Sequence, residues 1–178
     1  MSSGTKGTYW YSPEVERVIK KLVEESALFP DLQGVPITAL FTEKKMKVKG
    51  RPVLARIKKS SEFEMALIET MQDQSENHVA PPPAYVMIVS HDEWNDLDHV
   101  MVDRVGNVDQ QEALVFHELC HCEVKISDEG ISSYGTKTHD FTGFFAEAVR
   151  YGAWLPDYKD TLAAFAGDLP DEAKPEEE

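Results

Sequence analysis

The chain has 178 residues, a hydrophobic fraction of 42% and a formal net charge of −14. This length fits one domain, and the apolar content is enough to form a core, which excludes a largely disordered chain. Two cysteines exclude a disulfide scaffold, and the negative charge argues against a protein that is basic over its whole surface. The charge is uneven, because residues 1–60 carry a net +6 and residues 61–178 a net −20.

The first residues lack the apolar segment of a secretory signal, and no apolar run approaches the roughly 18 residues of a membrane span. We therefore expect a cytoplasmic protein without membrane contact, in which Cys120 and Cys122 stay reduced. Within it we expect a flexible N-terminus at 1–12, a single domain at 13–156 and a frayed acidic tail at 157–178.

Patterns in the first hundred residues predict short helices and strands. Ser12-Pro13-Glu14 is typical of a helix start, and apolar residues follow it at helical spacing. We expect a helix at 13–27, followed by strands at 35–42 and 53–58. The lysine-rich residues 43–49 between these strands are expected to form an exposed hairpin arm or an edge strand. After them we expect a short helix at 61–71, a loop at 72–83, an apolar central strand at 85–90, and a short acidic helix at 92–98 capped by Ser90.

Two further helices are predicted in the second half. Asp109 with Glu112 three residues later forms a capping box, which starts a helix that we expect to run to about Lys125. A polar loop is expected at 127–137. A last helix is expected at 139–151, with its apolar stripe formed by Phe141, Phe144, Phe145 and Ala148.

The helix that starts at Asp109 carries an H-E-x-x-H motif, His117-Glu118-Leu119-Cys120-His121. Residues four apart lie on the same helix face, so both imidazoles can reach one tetrahedral Zn²⁺ ion. Glu118 is then placed beside the open coordination position, where it can take a proton from water. The motif predicts a zinc-dependent hydrolase with Glu118 as general base.

A catalytic zinc site needs a third protein ligand, with the fourth position left for water. His139 is our first candidate, because imidazole is the most common donor. On an ideal helix, however, His139 lies opposite the apolar stripe of the last helix. Asp140 and Glu147 therefore remain alternatives, either as the third ligand or as residues that orient an imidazole.

These residues resemble a family of metallopeptidases encoded by phages. The resemblance rests on Phe116 to Cys122 (FHELCHC), on His139-Asp140-Phe141 and Phe144, and on Arg150-Tyr151-Gly152 with Trp154. The family is similar to the SprT-like minimal zincins. The resemblance implies one zinc ion per chain held by His117, His121 and His139, with Glu118 as base and a polypeptide as substrate.

The expected fold is an α+β, minimal zincin-like domain. A small mixed β-sheet packs with an N-terminal helix, the active-site helix that carries the motif, and a C-terminal helix. The segment from Glu123 to Thr138, between the second and third ligands, is longer than in the similar Wss1-like minimal zincins, so the third ligand stays open. Tyr134, which lies in that segment, is a candidate oxyanion donor.

The stretch 44–59 contains eight lysines and arginines. Lysine commonly guards an exposed edge strand, and the same charge also suits phosphate contact. DNA or a DNA-bound protein is therefore a candidate partner through Lys44, Lys45, Lys47 and Lys49. The alternative to a zinc peptidase is a non-catalytic, zinc-stabilised protein that binds DNA or a host protein through this stretch.

Overall fold

The computed structural model of the chain describes residues 8–25, 29–48, 50–73, 82–97, 109–130, 132–139, 143–152 and 154. The strands are β1 (Tyr9–Tyr11), β2 (Ile37–Thr42), β3 (Met46–Val48), β4 (Arg51–Val53), β5 (Ala55–Lys59), β6 (Tyr85–Ser90), β7 (Cys122–Ile126) and β8 (Ser132–Thr136). The helices are α1 (Pro13–Glu25), α2 (Glu62–Asp73), α3 (His91–Asp96), α4 (Gln110–Cys120) and α5 (Phe145–Tyr151), with a 3-10 turn at Pro30–Leu32.

Four strands form one mixed sheet in the order β1-β2-β6-β5. β2 and β6 are parallel, with Ile37 opposite Tyr85, and the outer strands run antiparallel to their neighbours. The apolar strand β6 is central, as predicted, and most of its side chains are buried. The chain is therefore the expected mixed α+β domain, consistent with a small zincin-like fold.

Helix α1 begins as its sequence predicts. The backbone N–H of Val15 donates to Ser12 Oγ at 3.3 Å, and Pro13 occupies the first helical position, where no N–H is needed. Val15, Ile19 and Leu22 are buried at helical spacing, so this face of α1 packs into the core beside the sheet and α4.

The lysine-rich arm is a two-stranded hairpin, as expected. β3 pairs antiparallel with β4, with Met46 opposite Val53, and Gly50 takes a positive φ of 82° at the turn. The chain then enters β5 at the edge of the main sheet directly after this hairpin. Lys47 and Arg51 therefore lie in this hairpin, and Arg56, Lys58 and Lys59 lie in the edge strand β5.

The segment after the motif differs from the prediction. Helix α4 ends at Cys120 and not near Lys125, and the expected polar loop is an antiparallel hairpin, β7–β8, with Cys122 opposite Thr136. The backbone N–H of Lys137 donates to His121 O at 2.7 Å, which closes the hairpin onto the end of the helix. The β7–β8 hairpin gives the backbone N–H and C=O groups of this polar segment the hydrogen-bond partners that a longer helix would otherwise have supplied.

The last helix is shorter than predicted. α5 begins at Phe145 and not at His139, because Phe144 is extended, with φ −118° and ψ 140°. The predicted apolar stripe is also partly wrong, since Phe144 is buried while Phe145 is 59% exposed. Phe141 and Asp140 lie outside the described residues.

Two smaller differences concern the ends of elements. Residues 9–11, expected within a flexible terminus, form β1 and pair with β2. Ser90 precedes α3, but its side chain makes no capping hydrogen bond. The acidic tail at 157–178 lies outside the described residues. Among the described helices, none combines the length and the apolar character that a membrane span requires.

Candidate metal centre

Helix α4 places the first two histidines. The side chain of Asp109 accepts a hydrogen bond from the backbone N–H of Glu112 at 2.9 Å, which fixes the start of the helix as predicted. His121 follows the last helical residue, but its φ of −72° and ψ of −20° are still helical. The spacing of one turn between His117 and His121 is therefore kept, and their rings lie 5.3 Å apart.

The third histidine comes from the far side of the β7–β8 hairpin. His139 lies three residues after β8, in an extended segment, and its Nε2 lies 3.1 Å from His117 Nε2. One ligand nitrogen from each of His117, His121 and His139 lies within 4.8 Å of the others. A helix that began at His139 would have turned its side chain away from the apolar stripe. Because α5 begins only at Phe145, this restriction does not apply to His139.

The donor set fits a tetrahedral zinc ion. Zn–N bonds of about 2.0–2.1 Å separate two ligand nitrogens by roughly 3.3–3.4 Å, close to the distance between His117 and His139. Three imidazoles with a fourth position for water are the ligand pattern of a catalytic zinc site. Among the described residues, the only group assembled for a metal contains these three histidines, and Cys120 is not part of it.

The other ring nitrogens of the two helix histidines have partners of their own. His117 Nδ1 lies 2.8 Å from Glu147 Oε2, and His121 Nδ1 lies 2.7 Å from the backbone oxygen of Lys137. A carbonyl or carboxylate oxygen only accepts, so Nδ1 carries the proton and Nε2 presents a lone pair. Both Nε2 atoms are thereby prepared for a cation.

The pKa values of these two imidazoles shift in opposite directions. Burial is the largest single effect and acts to lower the pKa of His117, but the hydrogen bond to Glu147 and the negative charges of Glu118 and Glu147 together outweigh it and raise the pKa. Burial is the main cause that lowers the pKa of His121. A lowered pKa favours the neutral imidazole, which is the form that binds a metal.

Glu147 lies beside the site and does not contribute to the histidine group. Its side chain is fully buried on α5; Oε1 accepts from Trp154 Nε1 at 2.5 Å, and Oε2 lies near His117 and the backbone N–H of Phe144. Of the two roles considered for Glu147, these contacts match orientation of an imidazole. Asp140, the other alternative, lies outside the described residues.

Glu118 is buried between α4 and β5. Only 5% of this residue is exposed, and a backbone hydrogen bond from Ile57 reaches its carboxylate. Burial raises the pKa of Glu118 to about 7, against the lowering effects of His117 and of the Ile57 backbone. A carboxyl group with such a pKa can both accept and return a proton near neutral pH.

The ring of Phe144 forms an apolar wall for all three histidines. Its centroid lies 5.5 Å from His117, 4.8 Å from His121 and 5.1 Å from His139, with edge-to-face geometry in each case. Sequence analysis placed Phe144 in the apolar stripe of a helix and among the residues of the family resemblance, but gave it no contact with the histidines. The sequence signal for Phe144 as a wall of the histidine group was the presence of an aromatic residue shortly after His139.

The remaining candidate residues are less closely tied to the histidines. The ring of Tyr134 packs edge-to-face on Tyr85, at 5.7 Å, so its role as oxyanion donor stays a prediction. Lys44, Lys45 and Lys47 are exposed around the basic hairpin, and Lys49 lies outside the described residues. DNA contact by these lysines also stays a prediction.

A family model described as "Putative phage metallopeptidase" matches residues 8–166. The chain belongs to this family. Membership places it among metallopeptidases, which act on polypeptides and use a metal ion, and the histidine group supplies donors for that ion. No curated protein and no solved structure matches the chain. The relationship to SprT-like zincins therefore stays a prediction.

Proposed function

We propose that the chain is a zinc-dependent peptidase in which His117, His121 and His139 hold one Zn²⁺ ion and Glu118 is the general base. The observation that carries the proposal is the convergence of three imidazoles, two of which have Nδ1 committed to Glu147 and Lys137. A metal ion bound to the Nε2 atoms of His117 and His121 would explain why the Nδ1 atom of each is hydrogen-bonded to the protein.

The chemistry follows from the position of Glu118. Zinc, when bound, supplies a Lewis acid that polarises a carbonyl group and lowers the pKa of water. The Glu118 carboxylate takes a proton from the attacking water and delivers it to the nitrogen of the leaving amine. The backbone N–H of Ile57 holds that carboxylate in place between α4 and the sheet.

A substrate has a place to bind along β5. The backbone bonds from Ser60 N to Ala84 O and from Ser90 N to Leu54 O show that even-numbered residues of β5 pair with β6. In an antiparallel ladder, the N–H and C=O groups of Ala55, Ile57 and Lys59 then point to the opposite side. Among the described residues, no strand is paired on that side.

An extended polypeptide could add to this edge as another strand. Since Ile57 also reaches Glu118, a peptide on the edge would bring its backbone close to the general base. This placement supports hydrolysis of a peptide bond within an extended segment of substrate.

The first test compares wild type with Glu118→Gln. We expect the wild type to contain stoichiometric zinc and to cleave an unfolded protein, while Glu118→Gln keeps the zinc and loses cleavage by at least about a hundredfold. Zinc content is measured by mass spectrometry of metals, and cleavage by peptide mass mapping. Glu129→Gln, an exposed change in the β7–β8 turn, is the matched control. Equal cleavage by Glu118→Gln and wild type would contradict the mechanism.

The non-catalytic alternative requires a closed metal site. A fourth protein ligand would leave no position for water. Within the described part of the chain, the candidate metal-binding group contains three histidines and does not include Cys120, while Asp140 lies outside the described residues. DNA binding through 44–59 can be tested separately, by retention of the chain on DNA at different salt concentrations.

A further inference from the structure

The open edge of β5 carries a strip of exposed positive charge. Arg56, Lys58 and Lys59 are exposed, and the strand follows the basic hairpin without an acidic residue anywhere in 44–59. The rest of the chain after residue 60 has a net charge of −20. Among the described strands of the main sheet, positive charge is thus concentrated on β5, whose Ile57 backbone contacts Glu118.

The side chains of β5 are divided between two faces of the sheet. Ala55 is buried in the core and Ile57 packs against it, so Arg56 and Lys58 lie on the opposite face. The side chains of a substrate strand added to β5 would also alternate between the two faces of the sheet. Two substrate residues separated by one position would therefore lie directly opposite Arg56 and Lys58.

We propose that Arg56 and Lys58 select extended polypeptide segments with acidic residues at alternate positions. This proposal rests on the proposed peptidase function. The acidic side chains pair with Arg56 and Lys58, while the backbone groups of Ala55 and Lys59 and the carbonyl of Ile57 pair with the substrate backbone, since the Ile57 N–H is bound by Glu118. The peptide bond to be cleaved then lies in the substrate strand, on the side of that strand that faces Glu118.

One basic residue of the strip already has a partner. Lys58 Nζ lies 3.1 Å from Glu64 Oε1 on α2, and both side chains are nearly half exposed. An ion pair this exposed is weak, so an incoming carboxylate can share or replace Glu64. Glu64 thus also reduces the attraction of the strip for unrelated anions.

A nucleic acid fits the same observations less well. Apart from the Ile57 N–H, which is bound by Glu118, the open edge of β5 presents the N–H and C=O groups of Ala55 and Lys59 and the C=O of Ile57, which match the backbone of an extended peptide and have no matching ladder in a sugar–phosphate chain. The strip also borders the buried general base of a proposed peptidase. Charge and backbone together therefore favour an acidic polypeptide over DNA.

The test uses the full-length, zinc-loaded chain and three peptides of equal length. They carry two glutamates, two glutamines or two lysines at alternate positions. Binding is measured by fluorescence anisotropy with Glu118→Gln, and cleavage by mass spectrometry with wild type. We expect the glutamate peptide to bind about five- to tenfold more tightly than the glutamine peptide, and the preference to shrink as salt is raised.

The double variant R56E/K58E is expected to reverse the preference towards the lysine peptide. Lys20→Glu on α1, which changes an exposed charge away from β5, is the control and should leave the preference unchanged. Equal binding of the three peptides, or a preference that survives R56E/K58E, would overturn the proposal. So would a single-stranded oligonucleotide that displaces the glutamate peptide and is no longer bound by R56E/K58E.

The two proposals fail in different ways. Cleavage without any dependence on peptide charge would leave the peptidase intact and remove the selective strip. Charge-selective binding without cleavage by zinc-loaded wild type would support the strip as a peptide-binding edge and remove the proposed peptidase function.

Discussion

At the scale of single residues, Glu147 connects the metal centre to the end of the described chain. Its carboxylate contacts His117 Nδ1, the backbone N–H of Phe144 and the indole N–H of Trp154. A fully buried carboxylate is tolerated because each oxygen has a hydrogen-bond donor. These contacts place Glu147 between the imidazole of His117 and the start of α5.

We expect Glu147→Gln to bind zinc about 10- to 100-fold more weakly than wild type. The amide has the same shape but no charge, so it fails to stabilise the protonated Nδ1 of His117 while leaving the packing intact. Zinc affinity is measured by competition with a coloured chelator. Glu129→Gln is again the control, and an unchanged zinc affinity in Glu147→Gln would exclude this orienting role.

At the scale of elements, the β7–β8 hairpin is fastened to the main sheet by one tyrosine. The Tyr85 hydroxyl lies 2.7 Å from Glu123 O and 2.8 Å from Gly135 O, and it accepts from the Gly135 N–H. Burial raises the pKa of Tyr85 to about 12, so the hydroxyl stays protonated and able to donate. The hairpin leads directly to Lys137, whose carbonyl orients His121.

Tyr85→Phe should lower the free energy of unfolding by about 1–3 kcal/mol, because buried backbone carbonyls lose their donor. Zinc affinity should fall as well, since the hairpin that carries Lys137 is less firmly held. Urea unfolding and the chelator competition measure the two effects. Tyr9→Phe, at a tyrosine that is 46% exposed, is the control. If stability falls and zinc affinity does not, the hairpin has no part in orienting His121.

Elements with strong local signals were predicted well, and those that depend on distant contacts were not. The start of α4 follows from Asp109 and its capping bond, and the two motif histidines follow from helical spacing. The hairpin β7–β8 was missed because Ser132–Thr136 has a polar, turn-like composition and takes its place through a tyrosine 50 positions away in the chain.

The supporting contacts of the site were predictable only in part. Glu147 was named as an alternative third ligand or as a residue that orients an imidazole, but its pairing with His117 joins residues 30 positions apart and was not predicted. The groups contributed by Lys137 and Ile57 are backbone atoms, which leave no signal in residue type. Spacing within one helix therefore predicted which two histidines lie together beside Glu118, while tertiary packing determines how these side chains are held.

At the scale of the whole molecule, Glu112 joins three helices. Its carboxylate lies 2.7 Å from Lys21 Nζ on α1, 2.8 Å from the Tyr151 hydroxyl and 3.4 Å from Arg150 Nη2 on α5. Burial acts to raise the pKa of Glu112, but the hydrogen bonds from Lys21 and Tyr151 outweigh it and the pKa is lowered. The ionised form is therefore the one that stabilises the fold.

The pH dependence of unfolding should reveal this contribution. A lowered pKa in the folded state gives stability that is present above the ordinary value of 4.5 and is lost as the pH falls through the folded pKa. Glu112→Gln should be less stable than wild type at neutral pH, and the difference should shrink on acidification below about 4.5. Urea unfolding over a pH series measures it, with the exposed Glu14→Gln as control. A difference that does not change with pH would refute the charge effect.

The β7–β8 hairpin, with its two ends carrying His121 and His139, also makes the metal a cross-link. The two ligands are eighteen positions apart in the chain, and an ion bound to both would close that segment into a ring. Under the proposed assignment, each tenfold rise of free zinc above the dissociation constant adds about 1.4 kcal/mol to the folded state. Metal supply would then govern how long the folded chain survives in a cell, independently of any peptide it cuts.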